Sequence, residues 1–214
     1  MLQLPPGAFR RVDDTPDAEF YRSPRLVTHI DDGAIGAVTR LYREYLPPRG
    51  AILDLMSSWV SHLPPEAPYR RVVGLGMNEA ELRANERLDA YVVQDLNREP
   101  RLPFAEGEFD GAGVSVSIQY LTRPDAVLRE VGRVLAPRAP LIITFSNRCF
   151  PSKAVAIWQA LDSAGHGRLV EGYLRGAGVW EGIETLDRSP RTRTGARTGD
   201  PLYAVVARRM APQG

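Results

Sequence analysis

Short apolar runs recur along the chain, and segments of helical spacing separate several of them. Five runs are clear, at 51–55, 71–75, 91–94, 109–116 and 141–145. Runs of this length, several of them rich in β-branched residues, are typical of strands that are covered on both faces. Strands that alternate with helices predict βαβ units, which build a parallel sheet through right-handed crossovers. The sequence therefore predicts an α/β fold.

Helical spacing is strongest between Val27 and Leu46, where Asp31 or Asp32 is the expected N-cap and Pro47 ends the pattern. Further helices are predicted at 79–85, 125–135, 152–164 and 169–174, and two late strands at 182–186 and 203–208. The Pro- and Asp-rich residues 1–18 are expected to form a flexible segment, and residues 19–214 a single domain.

Composition bounds the class of function. The chain has 214 residues and a formal net charge of +1, so overall charge draws it neither to nucleic acid nor to a membrane surface. No stretch approaches the roughly 20 apolar residues of a membrane span. A single cysteine, Cys149, permits no intrachain disulfide and, with only three histidines, predicts no metal site. We expect a cytoplasmic monomer or homodimer that acts on a small molecule.

Two carboxylates stand at the ends of predicted strands. Asp54 closes the first apolar run, and Asp95 follows the third. Either residue alone is compatible with a helix N-cap. Open parallel sheets, however, bind ligands beyond the carboxyl ends of their strands, where the strand order reverses. Two carboxylates at the same sheet edge therefore favour a ligand site there.

Longer stretches resemble a known superfamily. They are QDLN at 94–97, LPFAEGEFD at 102–110, VSVSIQYL at 114–121, REVGRVLAP at 129–137 and LIITFSN at 141–147. On these stretches the chain resembles the class I S-adenosylmethionine-dependent methyltransferases of the type 11 kind. The resemblance implies a Rossmann-like, doubly wound, mostly parallel seven-stranded sheet with helices on both faces. It also implies S-adenosyl-L-methionine as the cofactor, and it leaves the substrate open.

The resemblance assigns roles to residues at the strand ends. Met77 would lie against the adenine, Asp95 would accept from its amino group, and Leu96 would offer a backbone amide. Asn78 stands where the superfamily has a carboxylate and would bind the ribose hydroxyls, while Gly76 would let the backbone approach the ligand. The other implied cofactor positions are Asp54, Met56, Ser57, Gln94, Ser115, Val116 and Gln119.

The turn after the first strand departs from the superfamily. It reads DLMSSWVSH at 54–62, with Met56, Ser57 and Ser58 at the expected glycine positions. Serine allows close backbone approach but does not take a positive φ as readily as glycine does. We therefore expect this turn to have an adapted conformation.

In relatives, a segment before the domain often folds over the cofactor, and residues 20–31, here called the lid segment, are its counterpart. Arg25 would pair with the carboxylate of the methionine moiety, and Tyr21 would also face the ligand. The alternative is a solvated entry to the helix. His29 and Tyr120 are the candidate catalytic bases, and His29 is favoured because a lid residue would lie over the methyl group.

Four residues are candidates for substrate binding. Trp59 and His62 are three apart beside the cofactor turn, and His62 is a further candidate base. Asn147 and Arg148 follow the fifth strand and suit a polar or anionic substrate. A core tryptophan and a surface histidine are the alternatives for the first pair.

Three functions stay open at this point. The first is methyl transfer to a small metabolite. The second is a non-catalytic nucleotide-binding module, in which the altered turn reflects lost or changed activity. The third is another Rossmann enzyme such as an NAD-dependent reductase, which is disfavoured because G-x-G-x-x-G and Tyr-x-x-x-Lys are missing. The arginines between 188 and 197 predict a solvated loop, since no aromatic platform for RNA accompanies them.

Overall fold

Seven strands form one sheet in the order β3-β2-β1-β4-β5-β7-β6. The computed structural model describes residues 4–211. The strands are β1 (Ala51–Ser57), β2 (Arg71–Gly76), β3 (Ala90–Val93), β4 (Gly111–Ser115), β5 (Pro140–Phe145), β6 (Trp180–Asp187) and β7 (Tyr203–Arg209). The first five are parallel, and β7 is antiparallel to both β5 and β6. The predicted doubly wound, Rossmann-like fold is confirmed. The strand order reverses between β1 and β4, so the crevice for a ligand lies at their carboxyl ends.

Six α-helices accompany these strands within residues 4–211. They are α1 (Asp17–Phe20), α2 (Asp32–Tyr45), α3 (Glu79–Ala84), α4 (Pro124–Val134), α5 (Ala156–Gln159) and α6 (Ser163–Ala177). The side chain of Asp31 caps α2 by accepting the N–H of Ala34 at 2.9 Å, as predicted. None of the helices in this range is long and apolar enough to cross a membrane.

The sheet buries apolar side chains on both faces. Along β1, Leu53 and Leu55 join the cluster that α4 and α6 cover, whereas Ile52 joins the cluster that α2 covers. This alternation follows from the two-residue period of a strand. It places Asp54 on the same face as Ile52, toward α2.

The predicted helix at 152–164 is wrong. The chain forms the four-residue α5 there, and the long helix α6 begins only at Ser163, where the Asp162 side chain accepts the N–H of Gly165 at 2.7 Å. Glycine weakens helix propensity and hides this helix in the sequence. Packing explains one of these glycines, because a Cβ on Gly167 would lie 2.9 Å from the Thr185 side chain.

The connection between β1 and β2 contains no helix. Residues 58–70 run as an irregular loop, although parallel strands are usually joined by a helical crossover. The adjacent Pro64 and Pro65 interrupt any helix, since proline lacks the N–H and clashes with the preceding turn. The floor of the crevice after β1 is therefore a loop and not a helix N-terminus.

The first residues described are packed, unlike the flexible segment predicted at 1–18. The N–H groups of Ile157 and Ala156 donate to the carbonyls of Ala8 and Arg10 at 2.9 and 2.8 Å. Farther along, Asp17 is buried, which the sequence did not indicate. Residues 1–3 lie outside the described part of the chain.

A buried ammonium group accounts for that packing. Lys153 is fully buried, and its Nζ donates to the carbonyl of Thr15 at 2.6 Å. The same Nζ lies 3.3 Å from a carboxylate oxygen of Asp13 and 3.4 Å from one of Asp17. Arg11 donates to both oxygens of Asp17. This ion cluster fixes the chain immediately before the lid segment.

Candidate functional site

A cavity of about 290 Å³ lies at the carboxyl ends of β1 to β4, beneath the lid segment. The predicted site residues that line it are Arg25, His29, Asp54, Met56, Ser57, Trp59, His62, Gly76, Met77, Asn78, Gln94, Asp95, Leu96, Ser115, Val116, Tyr120 and Arg148. Gln119 and Asn147 do not line it. The fold therefore brings residues from six separate chain segments to one enclosure.

The turn after β1 has the adapted conformation that its sequence predicts. The pairing of β1 with β2 is irregular between Leu55 and Ser57, and Met56 has a φ of 56°. A left-handed backbone costs an ordinary residue about 1 to 2 kcal/mol. The irregularity carries the carbonyl of Ser57 onto Gly76, where a Cβ would overlap the carbonyl oxygen. The missing side chain of Gly76 therefore makes room for the backbone of Ser57. The sequence had suggested only that it makes room for the ligand.

Asp54 is buried beneath this turn. Its Oδ2 accepts from the hydroxyls of Ser57 at 2.5 Å and Ser61 at 2.6 Å. Ser61 in turn accepts from Nδ2 of Asn85 at 2.9 Å. No group of residues 4–211 donates to Oδ1, although Asp54 lines the cavity. Burial outweighs the two hydrogen bonds and raises the pKa of Asp54 to about 6.

The raised pKa predicts a pH dependence of stability. The folded pKa of about 6 exceeds the ordinary 3.8, so the folded protein binds more protons between these values. The contribution of Asp54 to stability is complete below about pH 4 and is lost as the pH rises through about 6, by about 3 kcal/mol. Denaturant unfolding of the wild type and Asp54→Asn at several pH values checks this. The wild-type-minus-variant difference should fall by about 3 kcal/mol between pH 4 and pH 7, and a constant difference would contradict it.

Asn78 and Glu81 hold the lid segment against the floor. Oδ1 of Asn78 caps α3 by accepting the N–H of Glu81 at 3.1 Å, and its Nδ2 donates to the carbonyl of Tyr21 at 2.8 Å. The buried Glu81 carboxylate accepts from the N–H of Arg25 and from the hydroxyl of Ser58, both at 2.7 Å. Asn78 is thus already engaged, and its ribose contact stays a prediction that requires an exchange of partners.

The loop after β3 presents a second carboxylate. Oδ1 of Asp95 accepts from the N–H groups of Asn97 and Arg98 at 2.9 and 3.3 Å, which closes the turn. Oδ2 of Asp95 has no hydrogen-bond partner in the described part of the chain. Gln94 differs, because its Nε2 donates to two carbonyls of the loop 99–101, each at 2.8 Å. Its side chain therefore supports that loop.

Two hydroxyls at the end of β4 are unpartnered. Oγ of Ser115 and Oγ of Ser117 are buried without a hydrogen bond among residues 4–211, and both residues line the cavity. Such groups are costly unless a ligand or water satisfies them. Gln119 was predicted here, but it is 2% exposed and its Nε2 donates to the carbonyl of Val116 at 2.7 Å. The local turn holds its Nε2, and its contact with the cofactor stays a prediction.

The lid segment places a guanidinium group among aromatic rings. The Arg25 guanidinium lies 4.5 Å from the ring centroid of Phe20 and 5.4 Å from that of Phe150. It also donates to the carbonyl of Phe20 at 2.8 Å. Nε1 of Trp59 donates to the carbonyl of Val27 at 3.0 Å. Trp59 thus fastens the lid segment in addition to lining the cavity.

The candidate bases differ in availability. The ring nitrogens of His29 and His62 have no hydrogen-bond partner within residues 4–211, and His29 is exposed. Withdrawal from water lowers the pKa of both rings, that of His62 to about 4. The Tyr120 hydroxyl accepts the N–H of Phe150 at 2.8 Å, and burial raises the pKa of Tyr120 to about 12. Tyr120 is therefore poorly suited to act as a base.

Of the two predicted substrate residues after β5, Arg148 lines the cavity and Asn147 does not. Nε of Arg148 donates to Oδ1 of Asp200 at 2.8 Å while its side chain stays 62% exposed at the cavity edge. Asn147 is exposed, accepts a hydrogen bond from the hydroxyl of Ser146 at 3.2 Å and lies outside the cavity lining, and its substrate role stays a prediction. Burial raises the pKa of the Cys149 thiol, which keeps it protonated.

The donor set of this cavity fits S-adenosylmethionine. Asp54 and Asp95 each offer a carboxylate oxygen without a protein partner in the described chain, which matches a ligand with ammonium and amino groups. Ser115 and Ser117 offer unpartnered hydroxyls. Arg25 supplies a cation for a carboxylate.

Glu81, Ser117 and Phe150 are among the lining residues to which the sequence assigned no role. Glu81 stands three residues after Asn78, the spacing of a capping box, so its position at the start of α3 was readable. Its bond to the lid segment was not readable, because 56 residues separate the partners. Ser117 and Phe150 carry no local signal of this kind.

Comparison with known proteins agrees with this geometry. A family model described as a methyltransferase domain matches residues 56–143. No curated protein matches the sequence. The chain is similar in structure to the cyclase SpnF, with 16% identity, a TM-score of 0.62 and coverage of 91% of this chain and 92% of that one.

Two further structures are methyltransferases. An S-adenosylmethionine-dependent methyltransferase from Mesorhizobium loti has 17% identity and a TM-score of 0.56, over 81% of this chain and 98% of that one. Phosphoethanolamine N-methyltransferase 2 from Haemonchus contortus, in complex with S-adenosyl-L-methionine, has 13% identity and a TM-score of 0.58, over 82% of this chain and 52% of that one. At such low identities, the TM-scores establish a shared fold and nothing more.

Proposed function

We propose that this chain, which belongs to the class I S-adenosylmethionine-dependent methyltransferase superfamily, transfers a methyl group to a small-molecule acceptor. One observation carries the proposal: the cavity at the strand ends presents two carboxylate oxygens and two buried hydroxyls that no described residue satisfies. Ligand pockets combine mostly apolar walls with a few convergent polar groups of this kind.

The cofactor would lie across the strand ends in the order that the resemblance implies. Asp95 and the Leu96 amide would take the adenine, with Met77 against its face. Asn78 would take the ribose, with Gly76 and Gln94 beside it. The methionine end would lie near the turn of Asp54, Met56 and Ser57, near Ser115 and Val116, and below Arg25.

When bound, S-adenosylmethionine supplies a methyl group on a sulfonium, which is already activated for displacement. The protein then has to exclude water and hold the acceptor in line with that methyl group. The lid segment closes the cavity from above through Asn78, Glu81 and Trp59. We assign removal of the acceptor proton to His29, because it belongs to the lid segment, its ring nitrogens are unengaged, and its lowered pKa keeps the ring neutral at neutral pH.

Removal of the charge on Asp95 should weaken binding of S-adenosylmethionine and S-adenosylhomocysteine by roughly 10- to 100-fold, the effect of losing one charge-assisted hydrogen bond. Asp95→Asn keeps an oxygen for the N–H of Asn97 and so preserves the turn. Calorimetric titration measures the change, with NAD as a non-cognate nucleotide.

The matched control is Asp89→Asn. Asp89 precedes β3, whereas Asp95 follows it, and its carboxylate accepts the N–H of Val72 at 2.7 Å away from the cavity. The control should bind as the wild type does. Failure of the wild type to bind either sulfur nucleotide, or preferential binding of NAD, would reject the proposal.

A non-catalytic S-adenosylmethionine-binding module is the second candidate. The turn after β1 favours this second candidate, because it lacks the glycines of the superfamily and holds Met56 in a left-handed conformation. Similarity to a cyclase is compatible with a fold that serves several chemistries. Binding of the cofactor without formation of S-adenosylhomocysteine across a panel of oxygen, nitrogen, sulfur and carbon acceptors would favour this module.

A further inference from the structure

We propose that the acceptor is a planar phenol, held between the aromatic side chains of the cavity with its hydroxyl directed to the imidazoles of His29 and His62. The inference rests on the proposed function and adds the chemical class of its substrate.

The walls of the cavity beside the lid segment are aromatic. Tyr21, Trp59, Tyr120 and Phe150 all line it. The ring centroids of Tyr120 and Phe150 are 5.9 Å apart, and that of His29 is 5.3 Å from Phe150 in an edge-to-face arrangement. These side chains pack against one another, and the parts of them that line the cavity can contact a ligand ring by stacking or by edge contacts. A flat, apolar ligand body therefore suits this end of the cavity.

The polar side chains at the same end that have no protein partner in the described chain are uncharged. His29 and His62 are neutral at neutral pH, and neither ring has a partner within residues 4–211. A neutral imidazole presents one nitrogen that accepts a hydrogen bond. Arg25 is assigned to the carboxylate of the cofactor and also donates to the carbonyl of Phe20, and Arg148 is paired with Asp200, so neither is free for the acceptor. An uncharged hydroxyl donor fits this set better than a carboxylate or an ammonium ion does.

A phenol can lose its proton to a neutral imidazole during methyl transfer, because its hydroxyl becomes more acidic as the oxygen bonds to the methyl carbon. His29 accepts the phenolic proton at its free ring nitrogen while the phenolic oxygen forms a bond to the methyl carbon. The carbon–sulfur bond breaks, and its electron pair goes to sulfur. The products are the methyl ether, S-adenosylhomocysteine and an imidazolium ion at His29, which returns its proton to water because His29 is exposed. His62 is more withdrawn from solvent and would donate its ring N–H to the phenolic oxygen, which orients the hydroxyl toward His29.

The test is a binding measurement on the full chain saturated with S-adenosylhomocysteine. The probes are 4-nitrophenol, nitrobenzene and 4-nitrobenzylamine, which share a nitrophenyl ring and differ in the group at issue. They are titrated at about pH 6, where 4-nitrophenol keeps its proton. We expect 4-nitrophenol to bind about tenfold more tightly than nitrobenzene, which corresponds to one or two net hydrogen bonds. Equal binding of the two, or tighter binding of the amine, would overturn the inference.

The three histidines of the chain provide the variants and their control. His29→Gln and His62→Gln should each lose about fivefold in 4-nitrophenol affinity and leave nitrobenzene unchanged. His166→Gln is the control, because the His166 ring stacks on Trp158 with centroids 3.9 Å apart and does not line the cavity. Thermal unfolding confirms that each variant is folded.

An activity assay gives a second readout, in which S-adenosylmethionine replaces the S-adenosylhomocysteine of the binding measurement. The wild type should convert 4-nitrophenol to 4-nitroanisole, detected by mass spectrometry, and His29→Gln should be slowed at least tenfold. Binding of S-adenosylhomocysteine without preference for the phenol rejects only the acceptor class. No binding of S-adenosylhomocysteine rejects the proposed function, and the acceptor class falls with it.

Discussion

Replacement of Gly76 by alanine is expected to lower the free energy of unfolding by about 3 kcal/mol, the upper part of the range for overpacking substitutions. The new Cβ would overlap the backbone carbonyl oxygen of Ser57, and a backbone atom cannot rotate away as the end of a side chain can. Removing this overlap requires Ser57 to move, and its hydroxyl, which donates a hydrogen bond to Asp54, would move with it. Binding of S-adenosylhomocysteine should therefore weaken in the same variant.

The same change elsewhere should have the opposite sign. Gly176 lies within α6, and the nearest atom to a Cβ built there is 4.0 Å away. Gly176→Ala should raise the free energy of unfolding by about 0.5 to 1 kcal/mol, since alanine is the better helix former. Denaturant unfolding of both variants checks the pair. A Gly76→Ala protein as stable as the wild type would mean that the turn after β1 is not held as described.

Lys153→Met is expected to cost about 3 kcal/mol, the typical loss when one partner of a buried ion pair is removed. Methionine preserves most of the buried volume but leaves the carboxylates of Asp13 and Asp17 without the ammonium group. A double-mutant cycle with Asp17→Asn isolates this interaction. The double variant should be more stable than the sum of the two single losses predicts, by about 1 kcal/mol or more.

A chemical readout tests the same cluster without changing the lysine. Lys153 is the only lysine of the chain and is fully buried. Acylation of its amine, followed by mass spectrometry, therefore reports the opening of residues 13–17. Asp17→Asn should accelerate this acylation, whereas Asp125→Asn at the exposed start of α4 should leave it unchanged. Equal rates in both variants would show that Asp17 does not hold the segment in place.

Much of the sheet was predictable because its signal is local. The apolar runs at 51–55, 71–75 and 141–145 each lie within an observed strand, and Asp31 caps α2 as its position before the apolar pattern indicates. Helix α6 was misplaced because Gly165 and its neighbours lower the helical signal. Packing against the sheet stabilises α6, and a local stretch of sequence contains no signal for that packing.

The candidate site was predictable where it depends on topology. Parallel strands deliver Asp54 and Asp95 to one edge, so their common location follows from the fold. The bonds that close the cavity were not predictable, because they join partners far apart in sequence. Glu81 with the N–H of Arg25 and Trp59 with the carbonyl of Val27 are two such contacts, and a third is Lys153 with Thr15.

The loop between β1 and β2 has a thermodynamic consequence for ligand recognition. A helix beginning there would place about half a positive charge permanently at the floor of the cavity. Residues 58–70 form no helix, and Arg25, the proposed partner of a ligand carboxylate, belongs to the lid segment. Affinity for that carboxylate and the closed position of the lid segment are then linked quantities, and each stabilises the other by the same free energy. A partner or substitution that shifts the lid segment would tune affinity without contacting the ligand.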